Sequence, residues 1–216
     1  MNLLGILIFL FASAHARSTV NEQRTWLGLF GKKALSEKNT LWAEAQLRHD
    51  VTNQTMNQTL NRFGVLRTLS PKHEAGLLFA YVQTNQLSGT SLREYRPTAQ
   101  YVFKSVLGSI KDFSARARIE YRMLEDVSAD SVRTRLLLRY GRKLSDATDF
   151  VFWEEPFVNV TREDWTGRRA FERNRAFMGV RQSFNGADVE VGYMNQFIPR
   201  TSRNMYEHIL VAYLFY

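Results

Sequence analysis

The chain has 216 residues, a formal charge of +8 at pH 7, 44% apolar residues and no cysteine. The missing cysteines exclude disulfides, thiolate metal sites and cysteine nucleophiles, and 12 scattered glycines and 4 prolines leave no linker or low-complexity segment. Excess arginine suits nucleic acid, but here the arginines recur at every second residue instead of in runs or along a helix face, which argues against it.

Residues 3–12 form an apolar run, followed by Ala12-Ser13-Ala14 and Ala14-His15-Ala16. A short apolar core ending in small-x-small sites reads as a cleaved secretory signal over residues 1–16, leaving 17–216 as one domain. No basic residue precedes the core, and no cysteine follows it to carry a lipid anchor. Secreted, periplasmic and outer-membrane destinations remain. No later segment holds the about 20 successive apolar residues that a membrane-spanning helix needs.

From residue 24 a strand-and-turn unit repeats roughly every 18 residues. Residues 26–33 make a weak first strand. In the second, Leu41, Ala43, Ala45 and Leu47 alternate with Trp42, Glu44, Gln46 and Arg48. The third covers 62–69, after a polar loop at 50–57. In the fourth, Ala75, Leu77, Phe79 and Tyr81 oppose Glu74, Gly76 and Ala80; in the fifth, Tyr95, Ala99, Tyr101 and Phe103 oppose Glu94, Arg96, Thr98 and Gln100.

Residues 112–140 carry the strongest alternation. Arg116, Arg118, Glu120 and Arg122 interleave with Ala115, Ala117, Ile119, Tyr121 and Met123, and Arg133, Arg135 and Arg139 with Val132, Thr134, Leu136, Leu138 and Tyr140. Strand side chains point to opposite faces at each step, so one face is charged and the other apolar. An eighth strand at 150–158 is broken by Glu154-Glu155-Pro156, which suggests a bulge or strand end. Arg173, Arg175, Gly179 and Arg181 oppose Ala176, Met178 and Val180 in the ninth, and Val189, Val191 and Tyr193 oppose Glu190, Gly192 and Gln196 in the tenth. The eleventh, 209–216, ends the chain.

Connections alternate between short (34–39, 70–73, 144–147 and the Asn185-Gly186 hairpin signal) and long (51–57, 84–92, 125–130, 159–170 and 199–204). Short turns on one side and long loops on the other is the layout of a membrane barrel. The spacing therefore predicts an all-β fold: an antiparallel up-and-down transmembrane β-barrel with a polar, Arg/Glu-lined interior. Eleven segments are visible, yet bacterial barrels favour even numbers. A further strand at 18–23, or one segment too many, gives ten to twelve.

Alternation alone does not say which face is outside, because a soluble lipocalin-type barrel has the same period with apolar residues inward. Tyr81, Tyr95, Tyr121, Tyr140, Tyr193 and Tyr206 lie near strand ends, where membrane-interface girdles form. Eleven strands also exceed the about eight whose side chains already fill an interior. Finally, Leu210, Ala212, Leu214 and Tyr216 alternate to an aromatic C-terminus and resemble the signal read by the outer-membrane barrel assembly machinery, although His208 is less apolar than that pattern prefers.

The segment order also resembles a family of uncharacterised Gram-negative outer-membrane proteins, domain of unknown function 2490. The resemblance rests on Trp26-Leu27-Gly28 with Lys32-Lys33, Trp42-Ala43-Glu44 to Leu47-Arg48, and Glu94-Tyr95-Arg96-Pro97. Residues 114–120 with Arg122, Arg133-Thr134-Arg135, Glu155-Pro156-Phe157 and Asn174-Arg175 continue it. It implies a barrel in the outer membrane, surrounded by lipid and lipopolysaccharide, and implies no activity.

The inward set is Glu44, Arg48, Glu94, Arg96, Arg116, Arg118, Glu120, Arg122, Arg133, Arg135, Arg139, Arg175, Arg181 and Glu190. Buried charges survive when paired, so a bracing ladder of Arg–Glu pairs is the simplest role. Ten arginines against four glutamates in that set also make a positive lumen, suited to small anionic solutes. An outer-membrane lipid-modifying enzyme needs a Ser–His pair, and His49 with Asp50, His73 with Ser70, and His208 offer no recognisable spacing. No catalytic residue, metal site or cofactor is therefore expected. A soluble periplasmic ligand-binding barrel is the remaining alternative.

Overall fold

The computed structural model describes residues 19–104, 113–201 and 203–216. The expected signal at 1–16, Ser18 and Asp112 lie outside the described residues. The chain runs through β1 (Thr19–Ala34), β2 (Asn39–Asp50), β3 (Thr55–Ser70), β4 (His73–Asn85), β5 (Ser91–Lys104) and β6 (Phe113–Leu124). It continues through β7 (Ser131–Lys143), β8 (Thr148–Asn159), β9 (Phe171–Phe184), β10 (Ala187–Ile198) and β11 (Asn204–Phe215). A 3-10 turn, Asp164–Thr166, sits in the β8–β9 loop.

Each strand pairs with the next, and β11 returns to β1 to close the barrel. Neighbours are antiparallel except at that seam, where β1 and β11 pair in parallel from Thr19↔Asn204 to Phe30↔Phe215. The antiparallel up-and-down barrel of ten to twelve strands expected from the repeat is the one observed, and its single parallel pair follows from parity. Strands that alternate in direction bring the first and the eleventh round pointing the same way. Residues 19–23 form no twelfth strand; they extend β1 along β11.

Three local differences from the sequence pattern have physical causes. β3 begins at Thr55, inside the stretch expected as a loop, because Gln58 and Thr59 find ladder partners on both β2 and β4. Glu154-Glu155-Pro156 does not end β8. The β7–β8 ladder keeps its register from Arg135↔Phe157 to Leu138↔Glu154 across the proline, and the offset against β9 falls at Phe157/Val158. Gly179 and Gly192 face each other in register on β9 and β10, and a Cβ on Gly179 would stand 2.3 Å from the Val191 carbonyl oxygen. Such close approach lets adjacent strands coil tightly enough to close the wall.

The two faces of the wall separate by chemistry. Leu77 is 74% exposed, Leu210 65%, Phe63 57% and Ile119 55%, so the apolar face points outward around the circumference. Arg118, Glu120 and Arg133 point inward and are buried. The interior is not wholly polar. Trp26, Phe30, Val151, Trp153, Phe177, Met194, Ile209, Val211 and Tyr213 form a buried apolar cluster on the strands flanking the seam.

Candidate functional site: an electropositive lumen

Alternation places a side chain in the lumen at every second position, so the site is a wall built from all eleven strands. Its carboxylates are bridged by arginines. Glu120 accepts from Arg133 at 2.9 and 2.5 Å and from Arg135 at 2.8 Å. Glu155 accepts from Arg135 at 2.7 Å and Arg116 at 3.0 Å. Glu94 is clamped by Arg96 at 2.7 and 2.6 Å and by Arg122 at 2.6 Å. Glu44 holds Arg62 at 2.7 Å, and Glu190 holds Arg139 at 2.5 Å. Charge-assisted forks of this kind fix the guanidinium planes along the wall.

Thirteen of the fourteen residues expected in the lumen line a cavity of about 880 Å³, and Glu120 is buried behind them in the same network. Sequence reasoning missed Glu155, Glu172, Arg62 and Arg24, which complete the ion pairs. Glu155 was hidden by the apparent break in β8, and Glu172 by the β8–β9 offset, which moves the strand out of its simple alternation. It also missed the aromatic part of the wall: Trp26, Phe30, Trp42, Trp153, Phe157 and Tyr213.

The cavity runs lengthwise. Leu92, Leu124 and Trp165 line it toward the long loops, and Gly186 and Tyr216 toward the short turns. The β8–β9 loop folds in at the loop end. Trp165 donates its indole N–H to the Ala129 carbonyl at 2.8 Å, and the Arg122 guanidinium lies 4.8 Å from its ring centroid. Gly167 supplies the left-handed backbone that turns this loop, at φ 86°. Arg168 pairs with Asp164 there and holds its carboxyl below the ordinary range.

Cations exceed anions on this wall. Thirteen Arg or Lys against five Asp or Glu line the cavity, so pairing leaves some without a carboxylate. Arg48 bonds the amide oxygens of Gln46 at 2.8 Å and Gln58 at 2.5 Å, and Arg118 bonds Gln100 at 2.7 Å. Among the described residues neither has a carboxylate within 4.0 Å, and Arg175 reaches Glu155 only at 4.0 Å.

His49, His73 and His208 lie on the outer face or at its edges. His49 and Asp50 point to opposite faces; His73 bonds the Tyr101 hydroxyl at 2.5 Å. His208 sits between the Tyr193 hydroxyl at 2.6 Å and Asn21 at 3.2 Å. None of these contacts involves a serine. Among the described residues no group of His, Asp and Glu is arranged to hold a metal ion. Leu210 and Leu214 are exposed on the outer face with Ala212 half-buried between them, and Tyr216 is exposed at the short-turn rim, where it also borders the cavity.

The fold and wall define a closed β-barrel with an apolar exterior and an arginine-rich, partly aromatic interior. The chain belongs to the family described as Protein of unknown function (DUF2490), which matches residues 23–207. It is also 32% identical over 143 residues to an uncharacterized protein of Methylorubrum extorquens, an alignment covering 63% of this chain and 62% of the relative. The chain thus matches less than two thirds of that relative's length. No solved structure gives a significant match.

Proposed function

We propose that the protein is an integral outer-membrane β-barrel whose positively charged lumen admits small anions. The observation that carries this is the sorting of side chains across one wall: large apolar residues outside, arginines around a continuous cavity inside. A water-soluble barrel would expose Leu77, Phe63, Ile119 and Leu210 to solvent at a cost, whereas lipid is their natural surrounding. Aromatic residues band both ends of the outer face. His73, Tyr101 and Phe103 cluster toward the turns, and Tyr81 with Tyr95, and Tyr206 with Phe197, toward the loops. Such girdles suit the two membrane interfaces. Strands of 12 to 16 residues exceed the about 9–11 that a tilted crossing requires. The outward Leu210, Ala212 and Leu214, with Tyr216 at the rim, fit recognition by the assembly machinery during insertion.

The ion-pair ladder braces the wall, and the surplus cations set the sign of the lumen potential. The test is reconstitution in planar bilayers under a salt gradient, with outer-membrane fractionation of the expressed protein alongside. The expected reversal potential reports anion preference. No conductance, or preference for cations, sinks the pore.

A further inference from the structure

We infer that the lumen contains a built binding site for an apolar-bodied anion, a carboxylate or similar head on a ring or chain, centred on Arg48, Trp26 and Arg175. This deepens the anion-admitting lumen and rests on it. The guanidinium carbons of Arg48 and Arg175 lie 3.8 and 4.8 Å from the Trp26 ring centroid. Both arginines are buried, and neither has a carboxylate closer than 4.0 Å among the described residues. Like charges gathered out of bulk water repel strongly unless an anion joins them. The two are instead propped by neutral amides: Gln46 and Gln58 hold Arg48, and Gln196 holds Arg175 at 2.6 Å. Trp26 is 3% exposed, and its indole N–H has no acceptor. The Trp42 N–H on the same cavity is likewise unpartnered. Buried donors ordinarily find partners, so the orphaned Trp26 indole, set against Arg48 with no carboxylate within 4.0 Å among the described residues and Arg175 with one only at 4.0 Å, forms a donor set awaiting an oxyanion.

The surrounding wall selects what carries that oxyanion. Phe30, Trp42, Trp153 and Tyr213 share the cavity with the site. An inorganic ion would leave those rings against water, while a ligand with an apolar body covers them. A cavity of about 880 Å³ is roomy enough for such a molecule. Pairing of apolar surface with a few convergent polar groups is the usual make-up of a ligand site.

All four tryptophans of the chain, Trp26, Trp42, Trp153 and Trp165, line this cavity, so intrinsic fluorescence reports its occupancy. The experiment titrates the full barrel in nanodiscs with 4-nitrobenzoate, whose nitro group quenches indole, against empty nanodiscs. The neutral 4-nitrobenzamide and acetate test the head and the body separately, and competition by decanoate distinguishes aliphatic from aromatic ligands. Saturable quenching by 4-nitrobenzoate is expected, with binding weaker by about tenfold for the amide and for Arg48→Gln or Arg175→Gln. Arg168→Gln, on the exposed loop, should bind like the parent. Heat-modifiable gel mobility shows that each variant is folded. Equal affinity for acid and amide, or no saturable quenching, overturns the site. Conductance of the same purified protein in planar bilayers separates the two ideas. An anion-selective barrel that does not bind 4-nitrobenzoate defeats the site alone, and a binding barrel without conductance supports the site and defeats the pore.

Discussion

Glu120, with no exposed surface, bridges Arg133 and Arg135 on the neighbouring strand through hydrogen bonds of 2.5 to 2.9 Å. A third guanidinium, from Arg62, lies 3.6 Å away. Three positive groups therefore share this carboxylate, and each has one other: Glu172 for Arg133, Glu155 for Arg135 and Glu44 for Arg62. Glu120→Ala should destabilise the barrel by about 2–3 kcal/mol, because it removes three buried charge-assisted contacts and leaves three crowded guanidinium groups with one carboxylate each. Denaturant unfolding followed by gel mobility measures this. An effect within error of Glu37→Ala, on the exposed β1–β2 turn, would show that the ladder does not brace the wall.

Trp165 contributes to the walls of two cavities, the lumen and a smaller one of about 310 Å³ beneath the β8–β9 loop. It is thus a partition held by the Ala129 carbonyl and by Arg122. Trp165→Ala should join the two spaces and raise single-channel conductance while leaving anion preference unchanged, since the charged wall is untouched. Conductance equal to the parent's would locate the constriction elsewhere.

Leu77 lies on the outer face of β4, between the His73–Phe103 and Tyr81–Tyr95 aromatic contacts. Leu77→Arg should cost about 2–4 kcal/mol in lipid if this face meets the hydrocarbon, as charges on the lipid side of a barrel do near mid-membrane. On a soluble barrel the same change at a 74% exposed site would be close to neutral. Unfolding in lipid vesicles decides between the two.

How much of this was legible depended on whether the two faces of a strand differ. Arg116, Arg118 and Glu120 alternate with Ala117 and Ile119, so β6 and its inward set read directly from period two. In β11 both faces are apolar: Ile209, Val211 and Tyr213 point in, Leu210 and Leu214 out. Alternation carries no signal there, and the aromatic part of the lumen stayed invisible. Thr55 and Met56 lie in the stretch 50–57 that reads as loop, yet pairing with Asp50 and His49 makes them strand, a tertiary effect that local propensity misses. The unneutralised state of Arg48 and Arg118 likewise depends on neighbours distant in sequence, which composition along one strand does not reveal.

The parallel seam was illegible for a different reason: it follows from the number of strands, and no residue encodes it. Its consequence is directional. β1 starts at Thr19 beside Asn204, at the long-loop end, while β11 finishes at the short-turn end. An even-stranded barrel with the same β11 would start β1 at the turns. The absence of cysteine makes single-site labelling clean. Thr19→Cys and Asp126→Cys, both exposed at the loop end, should react with a bulky impermeant maleimide from one side of the membrane, and Ser145→Cys at a short turn from the other. Labelling of Thr19→Cys from the same side as Ser145→Cys would replace the parallel closure with an even-stranded one.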